Sequence, residues 1–314
     1  MLNLTAAKYF LEVARLRSIR LAADRLHVAP SAISRQLSKL EHEFDVQLLE
    51  RHSGGIRLTA AGELLTRHLA MVFNTIDVAK GQISDLKGLR SGQVSIATVE
   101  GVSGPFLSDN IATFRQDYPS IDFRVRIRGR ERVLEALEQH LCQIGFIYDH
   151  FSHPSLETMG KWRQPLLALA RPDHPLADGR PLQLKDLVPV TCVLPDDGFG
   201  IHHLVKRAFA KLGATPNTTL VADQFHFLIA HAVRTNAIVY LPLQAALSEV
   251  QAGQIVPLNL ECKDFDYRYI YAVVRRDQQL APAASAFLRF ILAEFQAGEK
   301  SDAELLAKLR GNQA

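Results

Sequence analysis

Between Thr59 and Gly88 the chain has no proline, and Leu65, Leu69, Val72, Ile76, Ala79, Ile83 and Leu86 follow one another at alternating steps of four and three. That spacing is a heptad seam held for three repeats, and it predicts one long helix with an apolar stripe down one side. The stripe is too long for a single helix to leave uncovered in water, so a second helix must pack on it. A copy of the same helix in another subunit is the simplest cover, which makes these seven residues the candidate dimer contact. Packing against the rest of the same chain is the alternative. The helix also divides the sequence into a mainly helical part before it and a part after it where strands and helices alternate. A chain of 314 residues exceeds what one core usually organises, so a multidomain fold is expected.

In the first part, Leu4 to Arg17 places Leu4, Ala7, Phe10, Val13 and Ala14 at helical spacing. Ser18 stands where an N-cap belongs, and Ile19 to Leu26 reads as a shorter helix packing through Leu21, Ala22 and Leu26. After the turn His27 to Ala29, Pro30 opens a third helix with Ile33, Leu37, Leu40 and Phe44 along one face. Its opposite face carries Ser31, Ser34, Arg35 and Ser38. These are short hydroxyls and a guanidinium, which reach base edges or phosphates without holding the helix away from a duplex. Two helices joined by a tight turn form a helix-turn-helix, whose second helix enters the major groove of double-stranded DNA. In RHSGGIRLT (Arg51 to Thr59) a Gly-Gly turn separates two short extended pieces. This reads as a wing whose Arg51 and Arg57 reach the flanking backbone or minor groove. From Arg15 to Lys39 there are six basic residues (Arg15, Arg17, Arg20, Arg25, Arg35, Lys39) against Asp24 alone, although the whole chain carries only +3. That local excess suits a polyanion. Two such heads held by a paired helix about one DNA turn (~34 Å) apart predict a roughly palindromic site.

The second part begins near Leu89 to Gly92 with the strand SGQVSIATV (Ser91 to Val99). Helix Pro105 to Asp117, strand Phe123 to Arg128, helix Glu131 to Leu141 (burying Leu134, Leu137 and Leu141) and strand Ile144 to Tyr148 follow. A second series runs from Pro165 to about Leu260, and strand Tyr269 to Val274 with helix Pro282 to Phe295 closes the chain. The alternation predicts an α/β arrangement with largely parallel sheets. A composition 47% hydrophobic and 22% charged is that of a globular protein. No apolar run is long enough for a membrane span, and charge interrupts the N-terminal stretch, unlike a signal peptide, so a cytoplasmic protein without membrane contact is expected. Cys142, Cys192 and Cys262 form no close pair and read as buried small hydrophobes. His202 and His203 are adjacent and His226 and His231 are five apart, so neither pair has the helical spacing of a zinc pair, and no GxSxG, GxxxxGK[ST] or CxxC occurs. No catalytic residues, metal or cofactor are expected. An architectural DNA binder is the other class to weigh, and the long α/β half disfavours it, because bending DNA needs no cleft.

The run SIRLAADRLHVAPSAISRQLSKLEHEFDVQLLERHSGGIRLTAAGELL resembles the DNA-binding segment of LysR-type transcriptional regulators. Ser18, Ala22, Ala23, Leu26, Ala32, Ser34, Gln36, Leu40, Glu41, Leu48, Leu49, Arg51, Leu58, Thr59 and Gly62 stand at matching positions. Pro30 departs from the glutamine of many members, which removes one common base contact, and Leu49 replaces a frequent phenylalanine. ARPDHPLA with LKDLVP (Ala170 to Pro189), IVYLP (Ile238 to Pro242) and AGQIVPLNL (Ala252 to Leu260) resemble the effector-binding region of the same family. That region is similar to type 2 periplasmic binding proteins. The resemblance implies a winged helix-turn-helix over residues 1–58, a linker helix over 59–90, an effector-binding domain over 91–298 and a tail over 299–314. The effector domain would comprise one subdomain of about 92–163 plus 268–297 and another of 164–267, hinged at two crossovers, with a small-molecule effector in the cleft. It also implies a homodimer or homotetramer, and RNA polymerase as a further partner.

Three loops each follow a strand and open a helix: Thr98 to Pro105, Asp196 to His202 and Asp223 to His226. Unpaired N–H groups at helix starts suit a carboxylate or similar group. The candidate effector contacts are Thr98, Glu100, Ser103, Phe199, His202 and Phe225. Phe199 and Phe225 equally suit a core, and His202 a surface. Glu100 stands where members often have serine or threonine. It would repel an anion unless Arg128 compensates it or the ligand carries a cationic amine. Thr235 and Asn236 replace frequent glycines, which narrows the expected pocket floor.

Overall fold

A computed structural model describes residues 3–52, 55–86, 91–149 and 151–311. The chain divides into two compact units, Met1–Lys80 with Gln139–Leu141, and Gly81–Glu138 with Cys142–Ala314.

The first unit opens with α1 (Leu4–Leu16), α2 (Ile19–Leu26) and α3 (Pro30–Phe44), followed by β1 (Leu49–His52), β2 (Gly55–Leu58) and α4 (Ala60–Leu86). Side chains start the first two helices. Asn3 Oδ1 accepts from the N–H of Thr5 at 2.8 Å, and Ser18 Oγ from that of Leu21 at 3.3 Å. α3 begins on Pro30, whose missing N–H costs nothing at a first helical position. Phe10, Val13, Ala22, Ala23, Ile33, Leu37, Leu40 and Leu48 form the core. Leu4, Leu21 and Phe44 do not join it and are exposed. α2 packs through Ala22 and Ala23, whose small side chains let the helices approach closely and leave Leu21 on the outer side.

β1 and β2 pair antiparallel from Leu49–Leu58 to His52–Gly55; the expected turn residue Gly54 lies outside the described residues, with Ser53. Backbone anchors hold this ribbon in place. Glu41 Oε1 accepts from the N–H groups of Leu48 (2.9 Å) and Leu49 (3.2 Å), and Ile56 N–H donates to the Arg17 carbonyl at 3.0 Å. At φ +121° Gly55 sits where its absent Cβ would lie 2.9 Å from that same carbonyl oxygen, so the wing needs glycine here. Thr59 starts α4 by accepting from Gly62 N–H at 3.0 Å while its hydroxyl donates to the Gln47 carbonyl at 2.7 Å.

The expected seam on α4 requires a correction. Leu69 is 1% exposed and belongs to the core of the first unit, with Leu65 and Phe73 packed against it. Leu69 therefore has no surface left for a partner helix. Val72 and Ile83 are 39% and 54% exposed, and Ala79 is exposed as well. Ile76 is half-buried, and the side chain of Leu86 lies outside the described ones, as do residues 87–90, on which the Leu89 to Gly92 boundary falls.

In the second unit the chain runs through β3 (Gly92–Thr98), α5 (Glu100–Ser103), α6 (Pro105–Asp117), β4 (Ile121–Ile127), α7 (Arg130–Glu138), β5 (Ile144–Tyr148) and β6 (Leu156–Arg163). It continues through β7 (Leu166–Ala170), β8 (Leu182–Gln183), β9 (Thr191–Pro195), α8 (Gly200–Ala210), β10 (Asn217–Ala222), α9 (Phe225–Ala232) and β11 (Ile238–Pro242). The last elements are α10 (Leu247–Gln251), β12 (Val256–Pro257), β13 (Leu260–Glu261), α11 (Lys263–Asp266), β14 (Tyr269–Arg275) and α12 (Pro282–Gly311). Two five-stranded sheets result, in the orders β4-β3-β5-β14-β6 and β10-β9-β11-β7-β12. Each sheet is mixed, with four strands running one way and one against them: β14 runs antiparallel to both β5 and β6, and β7 antiparallel to both β11 and β12. These returning strands carry the chain across between the sheets, at residues 163–166 and 267–269.

Two further expectations change. Leu141 lies beyond α7 and is exposed, because His140 at φ +56° ends that segment in a left-handed turn. The final helix does not stop at Phe295 but continues to Gly311, so residues 299–311 are helix rather than tail. Within the helix Gly298 is a close-approach position: its absent Cβ would lie 2.9 Å from Trp162 Cζ2. Beyond it Leu305, Leu306 and Leu309 pack on the core of the second unit. Burial lifts the Cys142 thiol to about 12 and raises those of Cys192 and Cys262, which disfavours the thiolate at all three. Among the described residues, no helix is long and apolar enough to cross a membrane.

Candidate DNA-binding face and ligand cleft

On α3 the core residues Ile33, Leu37 and Leu40 leave Ser31, Arg35 and Ser38 exposed on the other side, with Ser34 half-buried. Lys39 and, on β2, Arg57 are exposed too, while the side chain of Arg51 lies outside the described ones. Not all of the basic excess is available to an anion. Glu12 pairs with Arg15 and, at 3.0 Å, with Arg25 Nε. The Arg25 pair ties α2 to α1, while Arg15 pairs within α1; Arg35 and Arg57 are free of any such carboxylate among the described ion pairs.

In the second unit the candidate ligand contacts fall into two groups. Glu100, Ser103, Phe199 and Phe225 come together. Glu100 Oε1 accepts from Phe225 N–H at 2.7 Å, Ser103 Oγ donates to the Glu100 carbonyl at 2.9 Å, and the Phe199 and Phe225 rings lie 5.2 Å apart. Burial raises the Glu100 carboxyl above the usual carboxylate range; Asp223 adds to the rise, and the backbone N–H groups of Phe225 and His226, with the His226 ring, oppose it. Thr98 and His202 are turned away. Thr98 is fully buried and donates to the Val99 carbonyl, and the buried His202 places Nδ1 2.7 Å from the Pro195 carbonyl oxygen. Nor does Arg128 offset Glu100, since its guanidinium donates to the Ile127 carbonyl. α5 lies beside the second half: a Cβ on Gly101 would be in ordinary contact with the Phe225 ring at 3.5 Å and with Pro242 at 3.6 Å.

Two family models cover these units. Residues 4–63 match the bacterial regulatory helix-turn-helix protein, lysR family, and residues 87–296 match the LysR substrate binding domain. The chain belongs to the LysR family of transcriptional regulators. It is 28% identical over 293 residues to the RuBisCO operon transcriptional regulator of Allochromatium vinosum, covering 93% of this chain and 96% of that one. Its fold is similar to full-length CbnR complexed with its target DNA, at TM-score 0.64 and 22% identity, over 92% of this chain and 99% of that one. The effector binding domain of QuiR in complex with shikimate is also similar, at TM-score 0.56 and 16% identity, over 66% of this chain and 98% of that one. This LysR-family regulator is thus a sequence-specific DNA-binding protein with an effector-binding domain, and its relatives are transcriptional regulators rather than enzymes.

Sequence reasoning missed a second cluster in the regulator, where the chain passes between its two sheets. Gln164 is fully buried and every polar group it has is engaged. Its N–H donates to the Arg268 carbonyl at 2.8 Å, its carbonyl accepts from Tyr148 Oη at 3.1 Å, Oε1 accepts from Gln244 N–H at 3.4 Å, and Nε2 donates to Asp302. Gln244 Nε2 donates to the other carboxylate oxygen of Asp302 at 2.8 Å. One carboxylate on α12 therefore takes hydrogen bonds from Gln164 at the crossover and from Gln244 in the second half. Isolated glutamines and an aspartate beyond an expected helix end carry no local pattern that announces this.

Proposed function

We propose that the chain works as a dimer paired through the exposed residues of α4, reading an operator with Ser31, Ser34, Arg35 and Ser38 on α3 and with Arg51 and Arg57 of the wing. The division of α3 carries this reading: one face is fully committed to the core, and the other presents hydroxyls and a guanidinium to solvent. Residues 1–58 form the head, 59–90 the linker and 91–311 the effector domain, with two crossovers as its hinge. The effector lies between the two halves of that domain, closes them about the hinge, and so changes how the subunits pair and the angle between heads. Assembly into a tetramer, contact with RNA polymerase and a place in the cytoplasm complete the reading.

Arg35→Ala is expected to weaken specific operator binding by roughly 1 to 3 kcal/mol and to relax preference at one base position. Footprints and competition against scrambled DNA check it, and an unchanged sequence preference removes Arg35 from base reading. Replacing Val72 and Ile83 together with glutamate is expected to yield monomers that no longer protect the operator. Light scattering of the purified variant measures this, and an intact dimer would move the pairing surface elsewhere.

A further inference from the structure

The N-terminus of α9 is where an anionic ligand would find unpaired N–H groups, and in this chain a carboxyl group already occupies it. Glu100, 125 residues away on α5, places Oε1 2.7 Å from Phe225 N–H. The backbone N–H of His226 acts on the same carboxylate. Other parts of α5 and the turn after it lie close to the same half. Gly101 lies against Phe225 and Pro242, and a Cβ on Gly104 would lie 3.4 Å from the Gln244 carbonyl oxygen. The acidic Asp223 lies beside the carboxyl and the His226 ring opposes its effect, while the Arg128 guanidinium donates to the Ile127 carbonyl.

We propose that Glu100 is a tethered carboxylate that fills the anion position of the effector cleft, and that it makes this regulator selective against carboxylate effectors. A group held in place by the fold competes at an effective concentration on the order of millimolar or above. A free carboxylate must displace it and then bind beside a second negative charge. Glu100 is a specificity-determining residue in this sense, and the effectors it admits are neutral or cationic molecules. The proposal rests on the reading above that this cleft takes the effector.

The test uses the full-length protein as wild type, Glu100→Ser and Glu100→Gln, with acetate and succinate as probes. Serine is too short to reach Phe225 N–H, so both carboxylates are expected to raise the melting temperature of this variant and to bind it on the order of tenfold more tightly than wild type. Glutamine keeps an oxygen within reach but loses the charge, so it falls between the two, and it serves as the comparison if the serine variant does not fold. Wild type binding these carboxylates as tightly as the variants overturns the proposal, and so does a failure of all three proteins to bind. Operator footprints of wild type are read separately. Their loss of sequence preference would sink the regulatory reading while leaving the carboxylate comparison intact.

Discussion

Gly62→Ala is expected to abolish operator binding while leaving the melting transition of the effector domain in place. Gly62 lies in the first turn and a half of α4, where its absent Cβ would fall 2.1 Å from the Leu48 carbonyl oxygen and 3.2 Å from Leu58 Cδ2. The first of these neighbours is backbone, anchored on both sides by Glu41 and by Thr59, whose N–H donates to that same carbonyl at 3.1 Å. It has no rotamer to turn away. The methyl group can be housed only by lifting α4 off the wing, which uncovers Leu48 and Leu69, both nearly fully buried in the head. The cost is on the order of 3 kcal/mol or more. A head of about sixty residues has little stability to lose, because small domains bury a smaller share of their surface. Calorimetry of the full chain, with a gel-shift titration of the operator, measures both halves of this expectation. Wild-type affinity in the variant would mean that the close approach at Leu48 does not set the position of α4.

Asp302→Ala is the second substitution with a large expected effect. It removes the acceptor for two buried amides, Gln164 Nε2 and Gln244 Nε2, and leaving them unpaired costs roughly 2 to 5 kcal/mol. The effect of Asp302→Asn is expected to be far milder. Gln244 Oε1 has no hydrogen-bond partner among the described residues, so turning the Gln244 amide over lets it accept from an N–H of the new asparagine. The same carboxyl predicts a pH dependence. Burial, assisted by the nearby charge of Glu299 and opposed by the two glutamines, lifts it from 3.8 to about 6. The folded chain then binds this proton more tightly than the unfolded chain. Its contribution to stability is complete below about pH 4, falls as pH rises through 6, and is absent above that. The change amounts to roughly 2 to 3 kcal/mol. Urea denaturation between pH 4.5 and 7.5 should therefore show Asp302→Asn gaining on wild type as pH rises. Parallel pH profiles for the two proteins would show that Asp302 is ionised throughout this range.

What the sequence made legible was local. Ile33, Leu37 and Leu40 recur along one face, so α3 and its outward serines and Arg35 could be placed from spacing alone. The wing was legible as an outline through its glycines. Its anchoring was not, because Glu41 reaches Leu48 and Leu49 through a carboxylate whose partners are set by the fold rather than by period. α4 shows the limit of periodicity: the same seam holds Leu69, buried within its own chain, and Ile83, which is exposed. The seam says which residues share a face, not what covers each of them. The antiparallel placement of β7 and β14 was hidden for a related reason, since strand direction in a sheet depends on crossovers far apart in the chain. In the cleft, proximity to helix starts selected Glu100 and Phe225 correctly as neighbours. It also drew in Thr98 and His202, whose side chains are absorbed by nearby carbonyls. The length of α12 beyond Phe295 was hidden as well, because Gly298 is kept inside the helix by an indole that no local pattern announces.

The position of β14 has a consequence for how this protein is made. Its residues, Tyr269–Arg275, complete the first sheet between two strands that the ribosome delivers more than a hundred residues earlier. Until they emerge, β5 and β6 have no neighbour to pair with across the gap, and Asp302 emerges later still. The whole second sheet must therefore be synthesised while the first stands unfinished, so the sensor ripens as one object near the end of translation. A nascent head that is already folded would meet DNA before any effector could instruct it.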